Sequence, residues 1–235
     1  MTIDRRGMLM GAGVLGLAAC VPMAADVPTR FGARLRILEA SSNGVLGASF
    51  LDTGTGTLTS HNGFARFPLL SSFKLSLAAM QLDREQAGVV DASARVTWTR
   101  GDLVENSPFT AERLATGATL RELAEATQKT SDNTAANLLL GRLGGPEAMT
   151  AFWRRIGDGA SRLDRLEPDL NNVPPGESRD TTTPDAMART VAALVYGDTL
   201  DAGRRATLRL CQASSLITRT LTRCSGCEPP NRSAT

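Results

Sequence analysis

The spacing of apolar positions divides this chain into a short β-prone beginning and a mainly helical middle. Two β-prone runs, Gly47 to Leu51 and Thr57 to Ser60, flank the turn cluster Asp52-Thr53-Gly54-Thr55-Gly56, and together they predict a hairpin. From Ser71 onward the period becomes helical. Phe73, Leu77 and Met80 share one face, and Thr119 with Glu122 forms a capping box ahead of Leu120, Leu123 and Ala124. Further helices are predicted over Thr134 to Leu140, Pro146 to Ile156 and Pro184 to Tyr196, the last closed by Gly197. Arg204 to Arg209 continues the helical pattern. Between Ile156 and Pro184 periodicity is lost in a long stretch of Asp, Asn, Pro and Gly. Its interleaved charges (Arg162, Asp164, Arg165, Glu167, Asp169, Arg179, Asp180) can pair across it, which predicts an ordered Ω-type loop whose ends meet.

The first residues form a separate pattern. Arg5-Arg6 precedes an apolar stretch from Met8 to Ala19, too short to span a bilayer, so residues 1–25 are expected to be an export signal that sends the protein to the periplasm. The paired arginines resemble a twin-arginine signal. Leu17-Ala18-Ala19-Cys20 resembles a lipobox, so cleavage before Cys20 with a lipid anchor there stands beside ordinary cleavage after Ala25.

Composition narrows the function classes. At 235 residues the chain can bury the core of one enzyme, and a net charge of +2 provides no field to draw it onto nucleic acid. No obligate protein partner is implied and a monomer is expected. With Cys20 in the signal, Cys211, Cys224 and Cys227 form no tidy disulfide framework, and Cys224-Ser225-Gly226-Cys227 has the spacing of a zinc half-site without partners. The only histidine, His61, falls in a polar stretch and reads as a solvated turn residue. No metal or organic cofactor is expected.

Lysines are scarce, and one of the two sits in Ser71-Ser72-Phe73-Lys74. A serine at a helix start with a lysine three residues on places hydroxyl and ammonium on one face, where the amine can steer or accept the serine proton. Taken alone the spacing is common, and Ser72 lacks a base at the same distance. Ser131-Asp132-Asn133 falls in a break between helices. A hydroxyl there could relay a proton and a carboxamide could hold an amide; the plainer account makes the three turn and cap residues. In the Ω-type loop, Glu167 could act as base for a water held by Asn171, or both could be loop-structuring residues.

In this order and at these separations the three motifs resemble the class A serine β-lactamases. Arg66-Phe67-Pro68, Asp102 to Glu105, Ser107-Pro108, Asn133 to Leu140, Gly144-Gly145-Pro146 and Arg162 to Arg165 extend the likeness from about Gly32 to about Arg209. The resemblance implies an α/β fold, an α+β sandwich of a helical subdomain beside an antiparallel-sheet subdomain. It implies β-lactam hydrolysis through an acyl-enzyme, and hence antibiotic resistance. Ser71 would be the acylated nucleophile, Lys74 its proton partner, Ser131 the donor to the leaving nitrogen, and Asn133 the holder of the substrate's side-chain amide. Glu167 with Asn171 would activate the hydrolytic water, Arg165 with Asp180 would shut the loop, and Glu167-Pro168 would be cis.

The chain departs from the family pattern in two places. Asn106 stands where an aromatic residue usually packs on the substrate. No K-T-G follows the Pro184 to Tyr196 helix, although that motif carries the substrate-carboxylate anchor and leads into an oxyanion donor. The expected domain is therefore residues 26–209 with its sheet incomplete, and residues 210–235 read as out-of-frame translation. Two rivals follow: an inactive remnant, or an acyl-enzyme protein like the penicillin-binding DD-peptidases.

Overall fold

The computed structural model describes residues 27–42 and 44–213. The expected export signal with Cys20, and the tail from residue 214 with Cys224 and Cys227, lie outside the described residues. Helix α1 (Val27–Ser42) leads into strands β1 (Ala48–Leu51) and β2 (Leu58–His61), the predicted hairpin, paired antiparallel with Ala48 opposite His61 and Leu51 opposite Leu58.

Helix α2 (Phe73–Gln86) is the axis of the core. Its face of Phe73, Leu77 and Met80 is almost completely buried, as the period predicts. Against it pack α4 (Leu120–Lys129) and α5 (Asn133–Arg142), with α6 (Gly145–Arg155), α7 (Pro184–Val195) and α8 (Ala202–Ala213) around them. The capping box of α4 forms as expected: Glu122 N–H donates to Thr119 Oγ1 at 3.1 Å, and Thr119 N–H to Glu122 Oε2 at 2.8 Å. Short α3 (Pro108–Glu112) and four further two-residue strands join these elements. β4 (Arg95–Val96) pairs with β5 (Ala118–Thr119), and β3 (Phe67–Pro68) with β6 (Thr181–Thr182), each antiparallel.

Two features depart from the sequence reading. Helix α1 was not visible in the pattern, because its apolar Ile37 and Leu38 are exposed and no single buried face marks it. His61 is not a solvated turn residue: it ends β2 with its Nε2 2.6 Å from Glu39 Oε2 of α1. Glu39 also accepts from Leu46 N–H, which with His61 holds its carboxyl below the ordinary range. Helix α7 packs along β1 and α1 along β2. The hairpin gains no third strand among the described residues, and an open groove of about 580 Å³ runs between β1 and α7, lined by Ala48, Leu51, Phe67, Met187, Val191 and Tyr196. Helix α8 runs past Arg209 to Ala213.

Candidate active site

The nucleophile position is built where two distant segments meet. β3 runs alongside β6, and the Leu69 N–H donates to the Asp180 carbonyl at 2.8 Å, which draws the end of the Ω-type loop onto the residues just before Ser71. Leu70 turns the chain sharply with a left-handed φ of 45°. Ser71 then sits in a one-turn 3-10 helix, Leu70–Ser72, that runs directly into α2, rather than in the first α-helical turn as expected. It is half-buried, while Ser72 is exposed and its hydroxyl donates back to Leu69 O at 2.5 Å.

Lys74 lies one turn further, only 2% exposed. Its ammonium is 3.3 Å from Ser71 Oγ, 3.1 Å from Ser131 Oγ, 2.8 Å from the Ser131 carbonyl and 2.5 Å from Asn133 Oδ1. Glu167 Oε1 lies 3.0 Å away on a carboxylate that is itself buried. The Ser131 hydroxyl donates to Ser71 Oγ at 3.0 Å. The two serine hydroxyls, the amine and the carboxylate thus share one cluster.

The second motif is held by α4 and α5. Ser131, at the break between them, has a left-handed φ of 56°, which turns both its hydroxyl and its carbonyl toward Lys74. Asp132 is the N-cap of α5, as the plainer account had it: its side chain accepts from Ala135 N–H at 2.7 Å. The same carboxylate, wholly buried, accepts from Thr110 N–H and Oγ1–H at 3.0 Å each, so cap and motif are one structure. Asn133 spans the site, accepting from Lys74 and donating to the Glu105 carbonyl at 2.9 Å.

The loop carries the third motif. Arg165 Nε donates to Asp180 Oδ2 at 2.6 Å, and Asp180 Oδ1 accepts from the backbone N–H groups of Asp164 and Arg165 at 2.7 and 3.0 Å. Leu163 and Leu170 are buried beneath, and the Glu167-Pro168 bond is cis. Asn171 donates to Glu167 Oε2 at 2.6 Å. Asn137 escaped the sequence reading: it accepts from Glu167 N–H at 2.9 Å and donates to Glu167 O at 2.8 Å, clamping that peptide from both sides. Its signal was its place one turn after Asn133 on the same face of α5.

Electrostatics follow from burial. Removing the Lys74 ammonium from water lowers its pKa, and the adjacent carboxylates of Glu167 and Asp132 restore only part of the loss. A lysine so placed gives up its proton more readily than one in water, and a serine hydroxyl lies within reach to supply another. Such an arrangement has the groups that acyl transfer to a serine requires, an amine beside the hydroxyl and a carboxylate that could serve as base for a water. Among the described residues no cluster of His, Cys, Asp and Glu could hold a metal, and no helix is long and apolar enough to cross a membrane.

The family model of the β-lactamase enzyme family matches residues 30–216. β-Lactamase AST-1 of Nocardia asteroides is 44% identical over 225 residues, covering 88% of this chain and 70% of the relative. β-Lactamase L2 of Stenotrophomonas maltophilia is 43% identical, covering 83% and 63%. The chain thus spans roughly two thirds of the length of these relatives. Among solved structures, an ancestral class A β-lactamase superposes with a TM-score of 0.80 at 44% identity, covering 85% of this chain and 76% of that one. A β-lactamase from Streptosporangium roseum does so with a TM-score of 0.78 at 42% identity, covering 80% and 70%. The chain belongs to the β-lactamase enzyme family, in its class A branch, and has the helix-rich α/β fold of that class.

Proposed function

We propose that this chain opens β-lactams through an acyl-enzyme on Ser71. The observation that carries the reading is the position of the Lys74 ammonium, buried and within 3.3 Å of Ser71 Oγ, Ser131 Oγ and Glu167 Oε1 together. Ser71 Oγ attacks the lactam carbonyl and gives its proton to Lys74, acting as the unprotonated amine. The C–N bond breaks, and Ser131, replenished by Lys74, protonates the leaving nitrogen. Glu167 then takes a proton from a water oriented with Asn171. That water attacks the ester, the bond to Ser71 Oγ breaks to free the ring-opened acid, and the proton held by Glu167 passes through Lys74 to Ser71 Oγ, restoring both groups. Asn133 binds the side-chain amide of the substrate. Arg165 and Asp180 keep the loop, and so Glu167, in place.

Incubation with a penicillin followed by intact-mass analysis and peptide mapping tests the reading. One adduct on Ser71 is expected. Label on Ser72 or Ser131 with Ser71 unmodified, or no adduct at all, would overturn the acyl-enzyme reading.

We also read residues 1–25 as an export signal, on the strength of Arg5-Arg6 and the apolar run behind it, with Cys20 as an alternative lipidated N-terminus.

A further inference from the structure

Asn106 occupies the wall of the site and is exposed, so the core does not require it. Its backbone is left-handed, with φ 56°, and its carbonyl accepts from Asn133 N–H at 3.0 Å. Its side chain is directed inward: Nδ2 donates to the Ser131 carbonyl at 3.1 Å. That carbonyl is also the acceptor for the Lys74 ammonium at 2.8 Å. One oxygen therefore receives two donors, a neutral amide from the wall and a cation from the core. Ser131 itself is left-handed, a conformation a serine adopts only when its surroundings fix it.

We propose that Asn106 is a positioning residue for the serine reaction: its amide holds the Ser131 carbonyl that also grips Lys74, and so sets both the relay hydroxyl and the proton carrier against Ser71. Without the amide, the Ser131 peptide is held on that side by Lys74 alone, and each proton that leaves the lysine weakens the hold. With it, the carbonyl keeps a partner whether Lys74 is charged or neutral. Sharing the acceptor also weakens the grip on the ammonium relative to the amine, because two donors on one oxygen each polarise it less favourably for the other. The charged groups facing Lys74 are Glu167 from the loop and Asp132 from the N-cap of α5, and a substitution at Asn106 moves neither.

The inference rests on the acyl-enzyme reading, yet it can be judged apart from it because the chain has only two lysines. In protein labelled with ¹³C-lysine, Lys74 and Lys129 give two ε-carbon signals, and Lys129, exposed and paired with Glu125, is the internal reference. Asn106→Gly retains the left-handed backbone and removes only the amide. The Lys74 titration should move up by about 0.3 unit, and Ser71 acylation by nitrocefin should slow about fivefold with its pH profile displaced to the alkaline side. Asn106→Ala, which also removes the amide without adding a charge, should move the Lys74 titration in the same direction, and it decides the matter if the glycine variant does not fold. An unchanged Lys74 titration in a folded variant would overturn the positioning role, whatever the activity. No acylation of the parent protein would overturn the acyl-enzyme reading and leave the titration to judge Asn106 alone.

Discussion

In the proposed reaction Glu167 has two duties that pull in different directions. Its Oε2 accepts from Asn171 at 2.6 Å, where it would take a proton from water, while its Oε1 lies against Lys74 at 3.0 Å and favours the charged lysine. Replacing it therefore tests both. In Glu167→Ala the water loses its base, so the acyl-enzyme should accumulate and steady-state turnover should fall by about 10² or more. Lys74 loses the carboxylate that opposes the effect of burial, so its already depressed pKa should drop further below the ordinary lysine value of 10.5. Intact-mass detection of a persistent adduct reads the first effect, and the Lys74 ε-carbon titration reads the second. Undiminished turnover would show that another group activates the water; a Lys74 pKa that rises would contradict the electrostatic account.

Among the elements, the Ω-type loop joins chemistry and stability. Asp180 is wholly buried and its carboxylate is satisfied by Arg165 and two backbone N–H groups. Arg165→Ala leaves that charge short of one partner, which should cost about 2 kcal/mol. It should also slow deacylation more than acylation, since Glu167 rides on the loop and Ser71 does not. Urea denaturation and single-turnover kinetics check the two parts, and equal loss in both kinetic steps would show that the loop supports the whole site rather than its base. Much at this scale was legible in the sequence because the signals were local. The hairpin turn and the Thr119–Glu122 box lie within a few residues of what they contact, and the charges of the loop pair inside one segment, Arg165 with Asp180 fifteen residues on. His61 was misread because its partner, Glu39, lies on a helix that carries no clear amphipathic stripe. Asn137 was missed because its contact is with a backbone thirty residues away, and its place one turn after Asn133 shows its face of α5 but not that contact. Ser71, Lys74, Ser131, Asn133, Glu167 and Asn171 are brought together by folding, but they were identified through resemblance to a family; periodicity alone left each motif ambiguous.

At the scale of the whole molecule the two halves are unequal. Most of the fully buried apolar side chains, Phe73, Leu77, Leu123, Leu139, Leu140 and Trp153 among them, come from the helices, whereas the hairpin leaves Phe50 62% exposed and Phe64 beyond it is 87% exposed. A two-stranded ribbon covered on one side by helices has few buried contacts to oppose fraying. Hydrogen-exchange mass spectrometry should therefore find the amides of α1, β1 and β2 exchanging on the order of 10²-fold faster than those of α2 and α5. Uniform protection across both halves would refute this division. The proposed reacting groups, in turn, hang from the slow-exchanging half: Ser71 and Lys74 from the start of α2, Ser131 and Asn133 from the junction of α4 and α5, Glu167 from a loop clamped by Asn137 and Asp180. The ribbon can then open and reclose on its own timescale while the reaction centre stays assembled, so a protease that nicks the hairpin should meet a protein that has not yet lost its chemistry.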